Sequence, residues 1–127
     1  MNTDTPELRV LVVDDNEDAA TSLAVFLEIL GCETAVAFSG TAGERIGAAF
    51  EPDLAFIDLD MVGVDGCDVA RYLRQRCHKR PFCVCLTGCD PDQARQRAMQ
   101  GGFDDFVSKP MDADTLLNAV ETAKAVH

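Results

Sequence analysis

No stretch of this chain reaches the roughly 18 uninterrupted apolar residues that a membrane-spanning helix needs. Its first residues, Met1 to Arg9, lack the basic start and apolar run of a secretory leader. A soluble, cytoplasmic protein with no membrane partner is therefore expected. Repeats, linkers and low-complexity segments are also missing, so residues 1–127 read as a single domain with its core from about 8 to 125. Basic residues are scarce, 11 against 22 acidic for a net charge of −11. Nucleic acid is thus not expected as a direct ligand, since its phosphates meet a repelling field. One local exception is the cluster Arg71, Arg74, Arg76, Lys79 and Arg80. It reads as a solvated helix end whose cations complement the helix dipole, with a partner-docking patch as the other reading.

A C-x-x-C pair is lacking too, although there are six cysteines: Cys32, Cys67, Cys77, Cys83, Cys85 and Cys89. In a non-secreted chain they read as thiols rather than a disulfide framework. Cys83 and Cys85 stand in an apolar, strand-like run, which suits small buried residues better than zinc ligands.

What the chain does have is a 47% hydrophobic share, enough for a core, and a strict alternation of two patterns. Leu8 to Val13 is a branched apolar run that ends at Asp14 and Asp15. Asn16 is placed to cap a helix carrying Ala20, Leu23, Ala24, Leu27 and Leu30 at helical spacing, and Gly31 stops it. Glu33 to Ala37 fits a second strand. A helix over about Thr41–Phe50 is expected to bury Ala42, Ile46 and Ala49. Leu54 to Ile57 is a third strand with Asp58 at its end, followed by a helix over about Cys67–Arg76. Phe82 to Leu86 is a fourth strand with Thr87 at its end.

Asp90, Pro91 and Gln93 then supply cap, first position and third position of another helix, and Gly101-Gly102 ends it. Phe106 and Val107 form a short fifth strand. A last helix from about Ala113 carries Leu116, Leu117, Val120 and Ala123. Five continuous apolar strands alternating with five helices predict an α/β fold: a doubly wound parallel sheet covered on both faces.

Ligands of such sheets bind outside the carboxyl ends of the strands. The residues at those ends are Asp14, Asp15, Asp58, Thr87 and Lys109. Three carboxylates gathered in one cleft repel one another, and an oxygen-loving divalent cation resolves this better than one lysine can. Mg2+ fits, because it accepts a few carboxylates and keeps waters for a phosphate oxygen. The set suits phosphoryl transfer, with Asp58 as nucleophile, Lys109 offsetting charge and Thr87 donating a hydrogen bond. Singly, each residue has a plainer reading as a cap, a turn former or a surface lysine. Their joint position at four strand ends favours the site.

The motifs Val12-Val13-Asp14-Asp15-Asn16, Asp58-Leu59-Asp60-Met61 with Asp65-Gly66, Leu86-Thr87-Gly88 and Phe106-Val107-Ser108-Lys109-Pro110 occur in this order. In this the sequence resembles the receiver domain of two-component response regulators, of the single-domain, chemotaxis-regulator type, from about Leu8 to Ala125. The resemblance implies a flavodoxin-like sheet of strand order 2-1-3-4-5. It implies a sensor histidine kinase or histidine phosphotransfer protein as donor to Asp58. Mg2+ would be held by Asp15, Asp58 and the backbone carbonyl of Asp60, with Asp14 acting through water. A cis peptide would join Lys109 and Pro110, and Thr87 and Phe106 would form the switch. A downstream protein would bind the face of the fourth helix, fifth strand and fifth helix. Catalysis would be limited to self-phosphorylation and self-dephosphorylation.

Two departures stand out: Val62 where the family usually has Pro, which restores an N–H to the Met61–Gly66 loop, and Gly88 where Ala is frequent. The side chain of Asp60 has a place of its own, either near the attacking water, where it would alter phosphoryl lifetime, or as a solvated loop carboxylate. Asp58-Leu59-Asp60-Met61-Val62 also resembles the opening of haloacid-dehalogenase phosphatases. Those enzymes place further metal-binding acids after the lysine, whereas here the acidic pair comes first. An interaction domain without phosphorylation, or a receiver belonging to a hybrid histidine kinase, are the remaining alternatives. The start at Met1 and the lack of a linker favour a free-standing form.

Overall fold

Each strand of the sheet sends alternate side chains into two separate cores, and this alternation is already written in the residue order. The computed structural model describes residues 8–61, 66–88, 90–109 and 111–126. Five strands, β1 (Arg9–Val13), β2 (Glu33–Ala37), β3 (Leu54–Asp58), β4 (Phe82–Thr87) and β5 (Asp105–Ser108), pair in parallel in the order β2-β1-β3-β4-β5. The helices are α1 (Glu17–Ile29), α2 (Gly40–Phe50), α3 (Gly66–Arg76), α4 (Pro91–Gly101) and α5 (Ala113–Val126). Val10, Val12, Phe56, Val84 and Leu86 pack beneath α1 and α5, against Leu23, Leu27, Leu116 and Val120. Leu11, Val13, Ile57, Cys83 and Cys85 face the opposite way, against Val69 and Leu73 of α3 and Ala98 of α4. The expected doubly wound sheet of strand order 2-1-3-4-5 is the observed one.

Local chemistry sets the helix ends. The Asn16 side chain accepts from the Ala19 N–H at 3.0 Å, and Asp90 accepts from the Gln93 N–H at 3.0 Å, with Pro91 opening α4. Each satisfies an N–H that the first turn leaves without a helical partner. Gly102 closes α4 at a φ of 75°, where a side chain would be strained.

Two burial expectations need correction. In α2 the inward face is Gly40, Gly43 and Gly47; Ala42 and Ile46 are half-buried at its margin, and Ala49 is exposed. The reason is close approach. A Cβ at Gly47 would lie 2.5 Å from Leu73 Cδ2 and 3.0 Å from Leu11 Cδ2, so only glycine lets α2 settle on the sheet. In α5, Leu117 is exposed, and Ala119 is buried beside Leu116 and Val120.

Cys83 and Cys85 lie fully buried on β4, and burial pushes both thiols up to about 12. They are core-filling residues at the strand positions expected of them, whereas Cys89 lies outside the described residues. The basic cluster is a mostly solvated face, as expected, with Arg74 its half-buried member. Arg71 pairs with Asp68 at 2.8 Å, Arg80 with Asp104 at 3.2 Å, and the Arg76 guanidinium lies 5.1 Å from the Tyr72 ring centroid. Arg74 donates to the Gly102 and Gly101 carbonyls at the end of α4. Among the described residues no helix is long and apolar enough to cross a membrane.

Candidate functional site

Parallel register is what brings the strand ends together. Val13 stands beside Ile57, Asp58 beside Leu86, and Thr87 beside Ser108, so the residues that follow share one rim. Asp14 leaves β1 still anchored, its N–H donating to the Ala37 carbonyl at 3.1 Å and its Oδ1 accepting from the Asn16 N–H at 3.0 Å. Asp58, the last residue of β3, accepts at Oδ1 from the Asp60 N–H at 2.8 Å. Asp14 and Asp58 are each 2% exposed, whereas Asp15 reaches solvent. One carboxylate oxygen from each of the three acids falls within 4.8 Å of the others.

Lys109 completes the rim. Its backbone N–H donates to the Thr87 carbonyl at 2.8 Å, which extends the β4–β5 pairing past Ser108. Its Nζ lies 3.1 Å from Asp58 Oδ2 and 3.6 Å from Asp14 Oδ2. Thr87 is fully buried, and the half-buried Phe106 packs against the core beneath α3 and α4. The Arg95 guanidinium lies 5.8 Å from the Phe106 ring centroid. Lys109 is described; Pro110, and with it the expected cis peptide, lies outside the described residues, as do Val62 and Asp65 of the loop before α3.

The electrostatics report an unbalanced site. Burial raises the Asp58 carboxyl above its usual range, and the neighbouring Asp14 adds to the rise. The Asp60 N–H and the Lys109 ammonium oppose it. Burial alone would weaken Lys109 as a base, but Asp58, Asp14 and Asp60 outweigh it and hold the ammonium more firmly protonated. The Lys109 ammonium is thus shared by the two buried carboxylates, Asp14 and Asp58. The clustered carboxylate oxygens of Asp14, Asp15 and Asp58 are hard donors of the kind that could hold a divalent cation.

A residue that sequence reasoning missed joins the site from α4. Burial alone would raise the Asp60 carboxyl, but the Gly88 N–H and the Arg97 guanidinium outweigh it and hold it below the usual carboxylate range. Arg97 Nη1 lies 3.1 Å from Asp60 Oδ1 and 3.4 Å from Thr87 Oγ1, and its Nη2 donates to the Leu59 carbonyl at 3.3 Å. The Gly88 N–H donates to Asp60 Oδ2 at 3.0 Å. The Asp60 side chain therefore turns toward α4 and is engaged there.

Fold and rim together define a flavodoxin-like α/β domain with a pocket of acids and one lysine at the carboxyl edge of its sheet. The sequence pattern of the response regulator receiver domain matches residues 10–121, and the chain belongs to that family. It is 34% identical over 116 residues to the CAI-1 autoinducer sensor kinase/phosphatase CqsS of Vibrio cholerae, covering 90% of this chain and 17% of that protein. Its identity to the transcriptional regulatory protein PrrA of Mycobacterium tuberculosis is 34% over 110 residues, covering 87% of this chain and 47% of that one. The chain thus spans half or less of the length of these relatives. Among solved structures, a signal receiver domain from Bermanella marisrubri superposes with a TM-score of 0.80 at 32% identity, covering 94% of this chain and 99% of that one. A CheY-like receiver domain from Methanospirillum hungatei superposes with a TM-score of 0.83 at 21% identity, covering 94% and 96%, a likeness of fold. Membership in this family sets aside the phosphatase likeness of the Asp58-to-Val62 segment.

Proposed function

We propose that the chain is a phosphoacceptor switch of a two-component relay and that Asp58 receives the phosphoryl group. The observation that carries this reading is the Lys109 ammonium 3.1 Å from a buried Asp58 oxygen, within a cluster of three carboxylates. Asp14, Asp15, Asp58 and the backbone carbonyl of Asp60 would hold Mg2+, which when bound offsets negative charge on the phosphoryl oxygens. An Asp58 oxygen attacks phosphorus, the new P–O bond forms, and a donor histidine leaves with the electron pair of its P–N bond. Lys109 stabilises the added charge and the Thr87 hydroxyl donates to a phosphoryl oxygen.

Thr87 then moves toward the phosphoryl group and Phe106 turns into the space it leaves. The face of α4, β5 and α5 presented to a downstream protein changes as a result. Hydrolysis of the acyl phosphate by the domain itself resets the switch. The donor would be a sensor histidine kinase or a histidine phosphotransfer protein, and an apolar cavity beside the acids would be its seat. A cavity of about 480 Å³ opens beside Asp14 and Lys109, between Ala19 and Leu23 of α1 and Met111. The cytoplasm is the place of action, and the charge of −11 disfavours direct contact of this domain with nucleic acid.

Incubation with acetyl phosphate and Mg2+, followed by intact-mass measurement, tests the proposal. One added phosphoryl group that is absent from Asp58→Ala is expected. An unmodified wild-type mass, or equal modification of the variant, overturns it.

A further inference from the structure

Thr87 is not the only group that must shift when the proposed switch operates. The backbone directly after it is tied down, because the Gly88 N–H donates to Asp60 Oδ2 at 3.0 Å. The other oxygen of the same carboxylate takes Arg97 Nη1 at 3.1 Å, and Nη1 also reaches Thr87 Oγ1 at 3.4 Å. Nη2 donates to the Leu59 carbonyl at 3.3 Å, so one guanidinium fork spans the acceptor loop and the switch residue. Arg97 belongs to α4, whose far end is held in turn by Arg74 on the Gly101 and Gly102 carbonyls. Carrying Thr87 toward Asp58 carries Gly88 with it and draws Thr87 Oγ1 from Arg97. The bonds through Asp60 and Arg97 oppose that movement.

We propose that Arg97 is a positioning residue of the acceptor site: anchored on Asp60, it restrains Thr87 and the head of α4 in the unphosphorylated arrangement. Phosphorylation proceeds against this latch. The inference rests on the phosphoacceptor reading and adds to it a residue on α4 and a role for the Asp60 side chain. A ligand shifts a two-state equilibrium only by its differential affinity, so removing a contact made in one state alone tightens ligands of the other. Beryllofluoride, which occupies the place of a phosphoryl group on an aspartate, is the probe.

Beryllofluoride binding to the whole chain, at magnesium saturating for each variant, separates the possibilities. Arg97→Gln and Asp60→Asn are each expected to bind about fivefold more tightly than wild type, within the usual size of coupling between sites. The double variant is expected to bind no more tightly than either single one, because both changes release one latch. Arg97→Lys keeps the charge but not the fork and is expected to fall between wild type and Arg97→Gln. In the protein without beryllofluoride, the Thr87 methyl resonance is expected to move in Arg97→Gln and in Asp60→Asn alike.

Wild-type protein that binds beryllofluoride with Arg97→Gln equal to it overturns the latch and leaves the acceptor reading standing. Weaker binding by Arg97→Gln also overturns it, since Arg97 would then assist the phosphorylated state. Wild-type protein that takes neither beryllofluoride nor a phosphoryl group removes the acceptor reading and the latch together.

Discussion

The middle of the sheet and its carboxyl rim are built by opposite rules, though only one or two residues separate them along each strand. Val10, Val12, Leu54, Phe56 and Val84 are fully buried and apolar, and every one of their contacts lowers the free energy of the folded state. Asp14 and Asp58 are just as deeply buried, yet they bring like charges together and share one ammonium. The first region supplies stability and the second gives some of it up, a cost that the proposed function would offset by binding a cation and a phosphoryl group. Substitutions in the two regions should therefore have opposite signs, which is the quickest way to break the comparison.

The largest effect is expected in the core beneath α2. Gly47→Val places a branched side chain where even a Cβ would lie 2.5 Å from Leu73 and 3.0 Å from Leu11. Urea unfolding should register a loss of about 3 kcal/mol, the upper part of the range for overpacked cores. A loss well under that would mean that α2 can lift from the sheet, and that its glycines do not set the approach.

This position also marks the limit of what the sequence could tell. Strand and helix positions followed from apolar periodicity and from punctuation such as Asn16, Gly31 and Asp90-Pro91, because those signals act within a few residues. Choosing Ala42, Ile46 and Ala49 for the inner face of α2 applied the same rule and failed for Ala49. A glycine face is set by the distance to Leu73, which lies on another helix. Leu117 shows the same limit, since periodicity places it near the buried edge of α5 and only packing leaves it 41% exposed. At the site, Asp14, Asp58, Thr87 and Lys109 were legible because a parallel sheet sends every strand end to one rim. Arg97 was not, because its partners Asp60 and Leu59 stand 37 and 38 residues away and reach it only through the fold.

At the rim the sign should reverse. Asp58 has its carboxyl raised by burial and by Asp14, so the folded chain keeps a proton there over a pH window in which the unfolded chain has already lost it. Across that window, from the ordinary carboxylate value up to the raised one, the stability contributed by this group falls as pH rises. Asp58→Asn, uncharged at every pH, escapes the loss. Measured without magnesium, it should match wild type below the window and exceed it at neutral pH. Adding magnesium should raise the melting temperature of wild type more than that of the variant, because a ligand of the folded state stabilises by mass action. A variant less stable than wild type at neutral pH would mean that Lys109 compensates Asp58 fully, and the contrast between rim and core would then fail.

The smallest effects sharpen the comparison on α3, where two arginines one turn apart meet different surroundings. Arg74 is half-buried and donates to the carbonyls of Gly101 and Gly102, groups that the end of α4 leaves without helical partners. Removing it strands those acceptors in a place that water reaches poorly, so Arg74→Ala should cost about 1 kcal/mol. Arg71 lies on the exposed side, 2.8 Å from Asp68, with both side chains more than half open to solvent at 60% and 56%. Water competes for both charges and salt screens them, so Arg71→Ala should change stability by less than about 0.5 kcal/mol. Thermal melts in low and in high salt would check this pair. A loss at Arg71 equal to that at Arg74 would mean that the basic cluster acts as one network rather than as one anchored side chain with a solvated neighbour.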